Sequence, residues 1–234
     1  MNNKKADPAP SSPAKKPRKR VAILISGRGS NMNALIAAAM KPDYPAGIVA
    51  VISDRADAAG LERAGEFDIP AMAFSRKDFA DKAAHEAAIS KALDEAEADF
   101  VCLAGFMRIL SGDFVRRWRG RMINIHPSLL PSFKGLDTHH RALANGCRIH
   151  GASVHFVTED MDEGPIIAQA AVPVMNDDTP DTLGDRVLKA EHALYPAALA
   201  LLAEGRVRMS GEGLSVTSGD GTISCAEQTL IVTG

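Results

Sequence analysis

The sequence predicts a doubly wound α/β fold built on a mostly parallel sheet. Three observations support this prediction: the chain length suits one such domain, the apolar runs are continuous, and helical segments separate them. The chain has 234 residues, of which 46% are hydrophobic and 24% are charged, as in an ordinary globular protein. Continuous apolar runs are typical of parallel strands buried on both faces. Alternation of such strands with helices predicts helices on both sides of the sheet.

Strands and helices are predicted to alternate up to residue 126. The predicted strands are VAILIS from Val21, GIVAVIS from Gly47, PAMAFS from Pro70, DFVCLAG from Asp99 and MINIH from Met122. Helices are predicted in the segments NMNALIAAAM, DAAGLERAGEF, 78–98 and SGDFVRRW, which follow the first four strands in turn. Ser111 is a candidate N-cap for the last of these helices.

The pattern changes after a predicted helix near THHRALAN. Two long β segments, RIHGASVHFVT and GPIIAQAAVPV, are separated by the acidic turn EDMDEG. A helix is predicted from about 182 to 204. We expect residues 21–208 to form the main domain. Residues 209–234 are expected to form a small β-hairpin appendage, with GDG as the turn between SVTS and TISC.

Residues 1–20 are predicted to be a disordered basic tail, because they hold four prolines and no large apolar residue after Met1. They contain seven Lys and Arg and one Asp, which leaves 20 basic and 28 acidic residues in the body, a net charge of about −8. An acidic body disfavours nucleic acid as a partner. The basic tail could contact RNA or anionic lipid, although a solubilising extension is the simpler interpretation.

Neither a membrane span nor a signal peptide is predicted. No apolar run approaches the roughly 18 residues that cross a bilayer, and the first 20 residues lack an apolar stretch. The three cysteines (Cys102, Cys147 and Cys225) are scattered and never form CxxC, which predicts neither a disulfide framework nor a zinc cage. We therefore expect a cytoplasmic protein. The sequence is compatible with a homodimer.

The turn SGRGSN joins the first predicted strand to the first helix. Its glycines allow backbone N–H groups to converge at a helix N-terminus, which suits a phosphate. It is not a Walker A loop because no GK[ST] follows, and Met32 replaces the third glycine of a dinucleotide fingerprint. A single phosphate is the favoured interpretation, and an ordinary glycine-rich turn is the alternative.

A polar pair ends the fifth predicted strand. Period-two alternation places Asn124 and His126 on the same side, where an amide N–H and an imidazole could polarise one carbonyl oxygen and move a proton. The alternative is a buried polar pair at a sheet edge. A carboxylate such as Asp162, in the acidic turn, could orient His126 and stabilise its imidazolium form if the two meet. Asp162 could equally be a solvated turn residue.

The remaining histidines predict no metal site. Four of them are close in sequence, His139, His140, His150 and His155, and they form no HxxxH pair on a convincing helix. The acidic turn does not match a calcium loop, since Gly164 occupies the third ligand position. Ser128 lacks the GxSxG elbow of a hydrolase nucleophile.

Taken together, several motifs resemble the glycinamide ribonucleotide formyltransferase family, which has a Rossmann-like formyltransferase fold. The resemblance covers about residues 21–208 and is carried by ISGRGSNMNALI, SDRADAAGLERA, LAGFMRIL, INIHPSLLPSFKGLDTHHRAL, GASVHFVTEDMDEGPIIAQ and EHALYP. It implies formyl transfer from 10-formyltetrahydrofolate to the amine of glycinamide ribonucleotide in purine biosynthesis, without a metal. Three residues differ from those that we expect at these positions in the family: Arg28, Asp137 and Leu188.

The resemblance also implies a set of site residues. The catalytic residues would be Asn124, His126 and Asp162. The substrate phosphate would be held by Gly29, Ser30 and Asn31, and Glu191 would also contact the ribonucleotide. The folate would be bound by Met107, Arg108, Ile109, Leu110, Thr158, Glu159, Asp160 and Met161.

Three alternatives remain open at this point. A methionyl-tRNA formyltransferase shares the formyl-binding core but carries a further C-terminal domain, for which the residues after Gly205 are too few. A formyltetrahydrofolate deformylase carries an N-terminal regulatory domain, for which the tail is too short. A non-catalytic nucleotide-binding module would keep the phosphate loop but would not need the Asn-x-His pair.

Overall fold

The computed structural model describes residues 17–210, 213–216, 223–226 and 229–233. The strands are β1 (Lys19–Ile25), β2 (Ala46–Ser53), β3 (Ala71–Ala73), β4 (Phe100–Leu103), β5 (Met122–His126), β6 (Ile149–Phe156), β7 (Ile166–Pro173), β8 (Val207–Ser210), β9 (Gly213–Val216), β10 (Ile223–Ala226) and β11 (Thr229–Thr233). The α-helices are α1 (Ser30–Ala39), α2 (Ala59–Gly65), α3 (Lys82–Glu95), α4 (Gly112–Arg117), α5 (Thr138–Ala144) and α6 (Pro180–Glu204). A 3₁₀ turn spans Arg76–Asp78.

The main sheet has the strand order β10-β11-β7-β6-β5-β4-β1-β2-β3. Strands β1 to β5 pair in parallel. Beyond β5 each strand pairs antiparallel to its neighbour, so that β6 and β11 run against the other strands. Strands β8 and β9 form a separate antiparallel pair. The predicted α/β fold with a mostly parallel sheet and a C-terminal β extension is confirmed.

Burial on both faces explains why β1 is a continuous apolar run. Val21, Ile23 and Ile25 pack into one core with residues of α1 and α6. Ala22 and Leu24, which alternate with them, pack into the other core with residues of α3 and α4. Because side chains of a strand alternate between faces, a strand covered on both sides has no place for exposed polar residues. The sheet is therefore doubly wound.

The carboxyl ends of β1, β4 and β5 meet at one edge of the sheet. Strand β1 has β4 on one side and β2 on the other, so the chain changes direction of winding at this strand. Loops that follow β1 and β4 diverge at such a switch point and leave a crevice for ligands. The Ser26 N–H donates to the Gly105 carbonyl at 3.1 Å, which fixes the two loops where they part.

Several boundaries differ from the prediction. Strand β1 begins at Lys19, two residues ahead of Val21, because the Lys19 N–H donates to the Pro45 carbonyl and extends the pairing with β2. Helix α3 is shorter than predicted because Asp81 caps it through the Ala84 N–H. The Ser111 N-cap is confirmed, with its hydroxyl accepting from the Phe114 N–H. Residues 1–16 of the predicted tail lie outside the described residues.

The pairing predicted for the C-terminal hairpin is wrong. Strand β9, which contains the first half of SVTS, pairs with β8 rather than with the TISC segment. Strand β10, which overlaps TISC and ends at Ala226, pairs instead with β11, and β11 joins the main sheet beside β7. The GDG turn lies outside the described residues. Within the described part of the chain, no helix is long and apolar enough to span a membrane.

Candidate active site

The turn after β1 presents backbone N–H groups at the start of α1. Gly29 has a φ of 73°, and no side chain caps the helix. A side chain at Gly29 would approach Gly60 Cα to 3.2 Å, so the close packing of α2 on this turn also requires glycine. The left-handed conformation directs the first N–H groups of α1 outward, as in an anion-binding turn. The geometry fits the phosphate interpretation of SGRGSN.

Asn31 connects this turn to α6. Its Nδ2 donates to Glu191 Oε2 at 2.6 Å, and both residues are more than nine-tenths buried. Burial raises the pKa of Glu191 to about 7, and the hydrogen bond from Asn31 opposes that shift. Asn31 Oδ1 has no hydrogen-bond partner among the described residues. The pair therefore keeps an acceptor available for a ligand hydroxyl or amine.

Asn124 and His126 lie on the same side of β5, as their alternation predicts, and both line one cavity. The ring of His126 is buried, and its Nε2 lies 3.0 Å from the Phe133 carbonyl oxygen. Because a carbonyl only accepts, Nε2 carries the proton and donates. Nδ1 therefore faces the other way, towards Asp162, and is available for chemistry.

Asp162 reaches His126 across the acidic turn that precedes β7. Its backbone is left-handed, with a φ of 56°, and its Oδ2 accepts from the Gly135 N–H at 2.8 Å. The same oxygen lies 3.5 Å from His126 Nδ1. The contact that the sequence left open is therefore present. Asp162 also ties the acidic turn to the loop after β5, so its position is fixed from two sides.

His155 also belongs to this cluster, although no motif singled it out for this role. It lies opposite Asn124 in the β5–β6 register, and its Nε2 is 3.2 Å from Asn124 Nδ2 and 3.7 Å from Asp162 Oδ1. Its Nδ1 donates to the Phe156 carbonyl at 2.9 Å. Burial lowers the pKa of His155, so the neutral ring accepts one N–H of Asn124 and leaves the other free. Only the strand register reveals this contact.

Hydroxyl groups hold the loop that follows His126. Ser128 Oγ donates to the Ser132 carbonyl at 2.6 Å. Ser153 Oγ donates to the Ser128 carbonyl at 2.7 Å and accepts from the Leu130 N–H at 3.0 Å. Gln169 Nε2 closes the network on Ser153 Oγ at 2.8 Å. Ser128 therefore acts in loop structure, as expected for a serine outside a nucleophile elbow.

The cavity has a volume of about 750 Å³. All eight residues predicted to bind folate line it, together with the predicted catalytic trio: Met107, Arg108, Ile109, Leu110, Thr158, Glu159, Asp160, Met161, Asn124, His126 and Asp162. Leu136, which was not predicted, is 77% exposed beside them. A cavity with exposed apolar side chains at its mouth and polar groups at its base suits a flat, partly apolar ligand.

The predicted phosphate residues lie outside this cavity lining. Gly29, Ser30 and Asn31 follow the end of the neighbouring strand β1, and Glu191 lies in α6 against Asn31. Ser26 connects the two places, since its Oγ accepts from the Met107 N–H at 2.8 Å. The structure therefore has two adjoining parts, a phosphate-type turn and a cavity with a polar base.

Two other histidines, His139 and His150, contact each other. His139 Nδ1 and His150 Nε2 lie 3.2 Å apart, and burial lowers the pKa of both rings, that of His150 to about 4. Across the described residues, no three His, Cys, Asp or Glu side chains form a group that could hold a metal ion. His139 and His140 instead contribute to the cavity wall.

An amide, an imidazole and a carboxylate lie together at the carboxyl edge of a doubly wound sheet, an arrangement that suits acid–base chemistry and the stabilisation of a developing oxyanion. Comparison with known proteins agrees with this class. A family profile described as formyl transferase matches residues 19–199. The chain therefore belongs to the formyl transferase family.

Individual relatives are similar over most of the chain. It is 53% identical over 194 residues to the trifunctional purine biosynthetic protein adenosine-3 of Bos taurus, covering 83% of this chain but only 19% of that protein. It is 46% identical to the phosphoribosylglycinamide formyltransferase of Escherichia coli K12, covering 81% of this chain and 89% of that one.

Solved structures of similar proteins share the fold. A phosphoribosylglycinamide formyltransferase from Brucella melitensis is 58% identical, with a TM-score of 0.78 and coverage of 83% of this chain and 99% of that one. A formyltetrahydrofolate deformylase from Pseudomonas putida is 33% identical, with a TM-score of 0.77, and the match covers 85% of this chain and 70% of that one.

Proposed function

We propose that this protein transfers the formyl group of 10-formyltetrahydrofolate to the amine of glycinamide ribonucleotide, a reaction of purine biosynthesis. One observation carries the proposal: Asn124, His126 and Asp162 converge at the base of a single cavity, with Asp162 Oδ2 at 3.5 Å from His126 Nδ1. The names of the Escherichia coli and Brucella melitensis relatives support this acceptor and this reaction.

The cavity fits a reduced folate. Met107, Ile109 and Met161 each expose between 61% and 75% of their surface at its mouth, which suits the flat faces of a pteridine and a benzoyl ring. The loop from Thr158 to Asp162 supplies polar groups to the lining of the same cavity. We assign the eight residues named above to folate binding on this basis.

The glycine-rich turn fits the ribonucleotide. Gly29, Ser30 and Asn31 would hold the phosphate at the N-terminus of α1, where the helix dipole favours an anion. Glu191 would accept a hydrogen bond from the ribose or amide end of the same substrate. Because Ser26 joins this turn to the cavity loop through the Met107 N–H, a substrate held by its phosphate can extend its amine towards the cavity.

The chemistry follows from these positions. The substrate amine attacks the formyl carbon, a carbon–nitrogen bond forms, and negative charge moves to the formyl oxygen. The free N–H of Asn124 and the Nδ1–H of protonated His126 stabilise that oxygen. Such electrostatic stabilisation of an oxyanion is usually the largest single contribution to catalysis of acyl transfer. Asp162 stabilises the imidazolium and relays the amine proton through water to N10. The bond from carbon to N10 then breaks and releases tetrahydrofolate.

Other properties remain predictions. The cytoplasmic location rests on the cysteine pattern, and the lack of a nucleic-acid partner rests on the acidic body. A homodimer is a further prediction. The domain boundaries at residues 20 and 208 are predictions too, and in the structure β1 begins at Lys19 and β8 extends to Ser210.

An acceptor panel tests the proposed function. Purified protein is mixed with 10-formyltetrahydrofolate and either glycinamide ribonucleotide, initiator methionyl-tRNA or no acceptor, and release of tetrahydrofolate is followed by absorbance. We expect turnover only with glycinamide ribonucleotide. Turnover without an acceptor would indicate a deformylase, turnover only with tRNA would indicate the tRNA enzyme, and inactivity throughout would favour a binding module.

A further inference from the structure

Arg28 is an unused cation in the middle of the phosphate-type turn. It lies between Gly27 and Gly29, and its side chain is exposed. Among the described residues it forms no hydrogen bond or ion pair. Nothing in this part of the chain therefore requires a guanidinium at position 28 for folding, and a ligand would not need to break an existing ion pair to reach it.

The surroundings of the turn create a need for positive charge. Glu191 Oε2 lies 2.6 Å from Asn31 Nδ2, so an ionised Glu191 would repel a phosphate dianion bound at the start of α1. Backbone N–H groups supply only partial positive charge. A full positive charge would offset the repulsion, and the turn itself contains only one cationic residue, Arg28.

Helix α6 does not supply that charge from the face it presents to the turn. Leu188 lies three residues before Glu191, hence on the same helical face, and it is half-buried and apolar. Lys189 is exposed, and its separation of two residues from Glu191 places it on a different side of the helix. The two residues named on this face of α6, Leu188 and Glu191, are therefore apolar and acidic.

We infer that Arg28 is a specificity-determining residue that binds the phosphate of the ribonucleotide substrate through its guanidinium. This inference rests on the proposed function. A guanidinium offers two parallel N–H donors to phosphate oxygens, and the left-handed Gly29 beside it lets the main chain and the side chain approach one anion. The buried, unpartnered Asn31 Oδ1 is an acceptor, so it would bind a hydroxyl or amine of the same substrate rather than its phosphate.

Arg28 contributes to binding rather than to the chemical step, because it lies outside the cavity that holds Asn124 and His126. Arg28→Ala should therefore raise KM for glycinamide ribonucleotide about tenfold, the typical effect of losing a hydrogen bond to a charged group. The KM for the folate and kcat should each stay within about twofold of the wild type. Arg28→Lys retains the positive charge but loses the paired N–H donors of the guanidinium. Its KM for glycinamide ribonucleotide should therefore lie between those of the wild type and Arg28→Ala.

The test is a steady-state comparison of wild type, Arg28→Ala, Arg28→Lys and the control Lys41→Ala. Lys41 follows the opposite end of α1 and is exposed, so its replacement removes the same charge far from the turn. Each protein is assayed with glycinamide ribonucleotide and with the dephosphorylated riboside, at low and high salt. Melting temperatures check that all four proteins are folded.

The expected result is a KM increase that is largest for Arg28→Ala, smaller for Arg28→Lys and absent for Lys41→Ala. It should be confined to the phosphorylated substrate, and Arg28→Ala should show a weaker salt dependence than the wild type. An equal loss with the riboside, or a KM within twofold of the wild type, would overturn the inference about Arg28. If the wild type itself does not use glycinamide ribonucleotide, the proposed function fails instead, so the two failures are distinguishable.

Discussion

Replacing Asp162 with asparagine removes one negative charge and changes little else. Asparagine has nearly the same size and tolerates the left-handed backbone that Asp162 adopts at a φ of 56°. Its amide oxygen can still accept from the Gly135 N–H, which lies 2.8 Å from the aspartate. We therefore expect the melting temperature of Asp162→Asn to stay close to that of the wild type.

The charge matters because of its distance from His126. Asp162 Oδ2 lies 3.5 Å from Nδ1, and two full charges at that separation attract by about 5 kcal/mol at an effective dielectric constant of about 20. That figure bounds the stabilisation of the imidazolium. Loss of one oxyanion donor typically costs about 10² to 10³ in kcat, or about 3–4 kcal/mol of barrier. We expect a loss of this size, with a smaller change in KM.

The assay is steady-state formyl transfer by Asp162→Asn, with Glu163→Gln as the matched control. Glu163 is the next residue of the same turn and forms a surface ion pair with Lys134, so its replacement should leave kcat within about twofold of the wild type. If Asp162 only shaped the turn, asparagine would be almost silent. A kcat above about a tenth of the wild-type value, less than roughly 1.4 kcal/mol of barrier, would refute the catalytic assignment.

Three further predictions concern stability and substrate affinity. Because burial raises the pKa of Glu191 from 4.5 to about 7, its neutral form stabilises the fold fully below pH 4.5, and this contribution is lost as the pH rises through 7. In urea unfolding, the free energy of unfolding of the wild type should accordingly fall relative to that of Glu191→Gln between pH 5 and pH 8. A difference that stays constant with pH would contradict the raised pKa of Glu191. Deleting residues 1–16 should leave the melting temperature unchanged, whereas deleting residues 1–20 should lower it by removing the start of β1. Gly29→Val places a Cβ at 3.2 Å from Gly60 Cα and should raise KM for the ribonucleotide more than for the folate; equal effects would indicate a folding defect.

Local patterns in the sequence were sufficient for much of the fold. The continuous apolar run of β1 reflects burial on both faces, and the Ser111 cap reflects a side chain that reaches the first turn of its own helix. The placement of Asn124 and His126 on one side of β5 follows from strand geometry alone. Each of these features depends on residues close together in the chain.

Features that depend on distant pairing were not predictable. His155 meets Asn124 only because β5 and β6 pair antiparallel across a separation of 31 residues. The C-terminal hairpin was assigned from the GDG turn, but β11 gains hydrogen bonds along the free edge of β7, a partner about 60 positions earlier that no local signal indicates. The approach of Asp162 to His126 likewise required the fold.

Transfer of an isotopic label tests the central claim most directly. Protein is incubated with glycinamide ribonucleotide and 10-formyltetrahydrofolate labelled with ¹³C at the formyl carbon, and the label is followed by NMR. We predict that the label appears as an N-formyl group on the ribonucleotide, at the same rate as tetrahydrofolate is released, and that His126→Ala slows both together. Label recovered as free formate, or a His126→Ala variant as fast as the wild type, would contradict formyl transfer at this site.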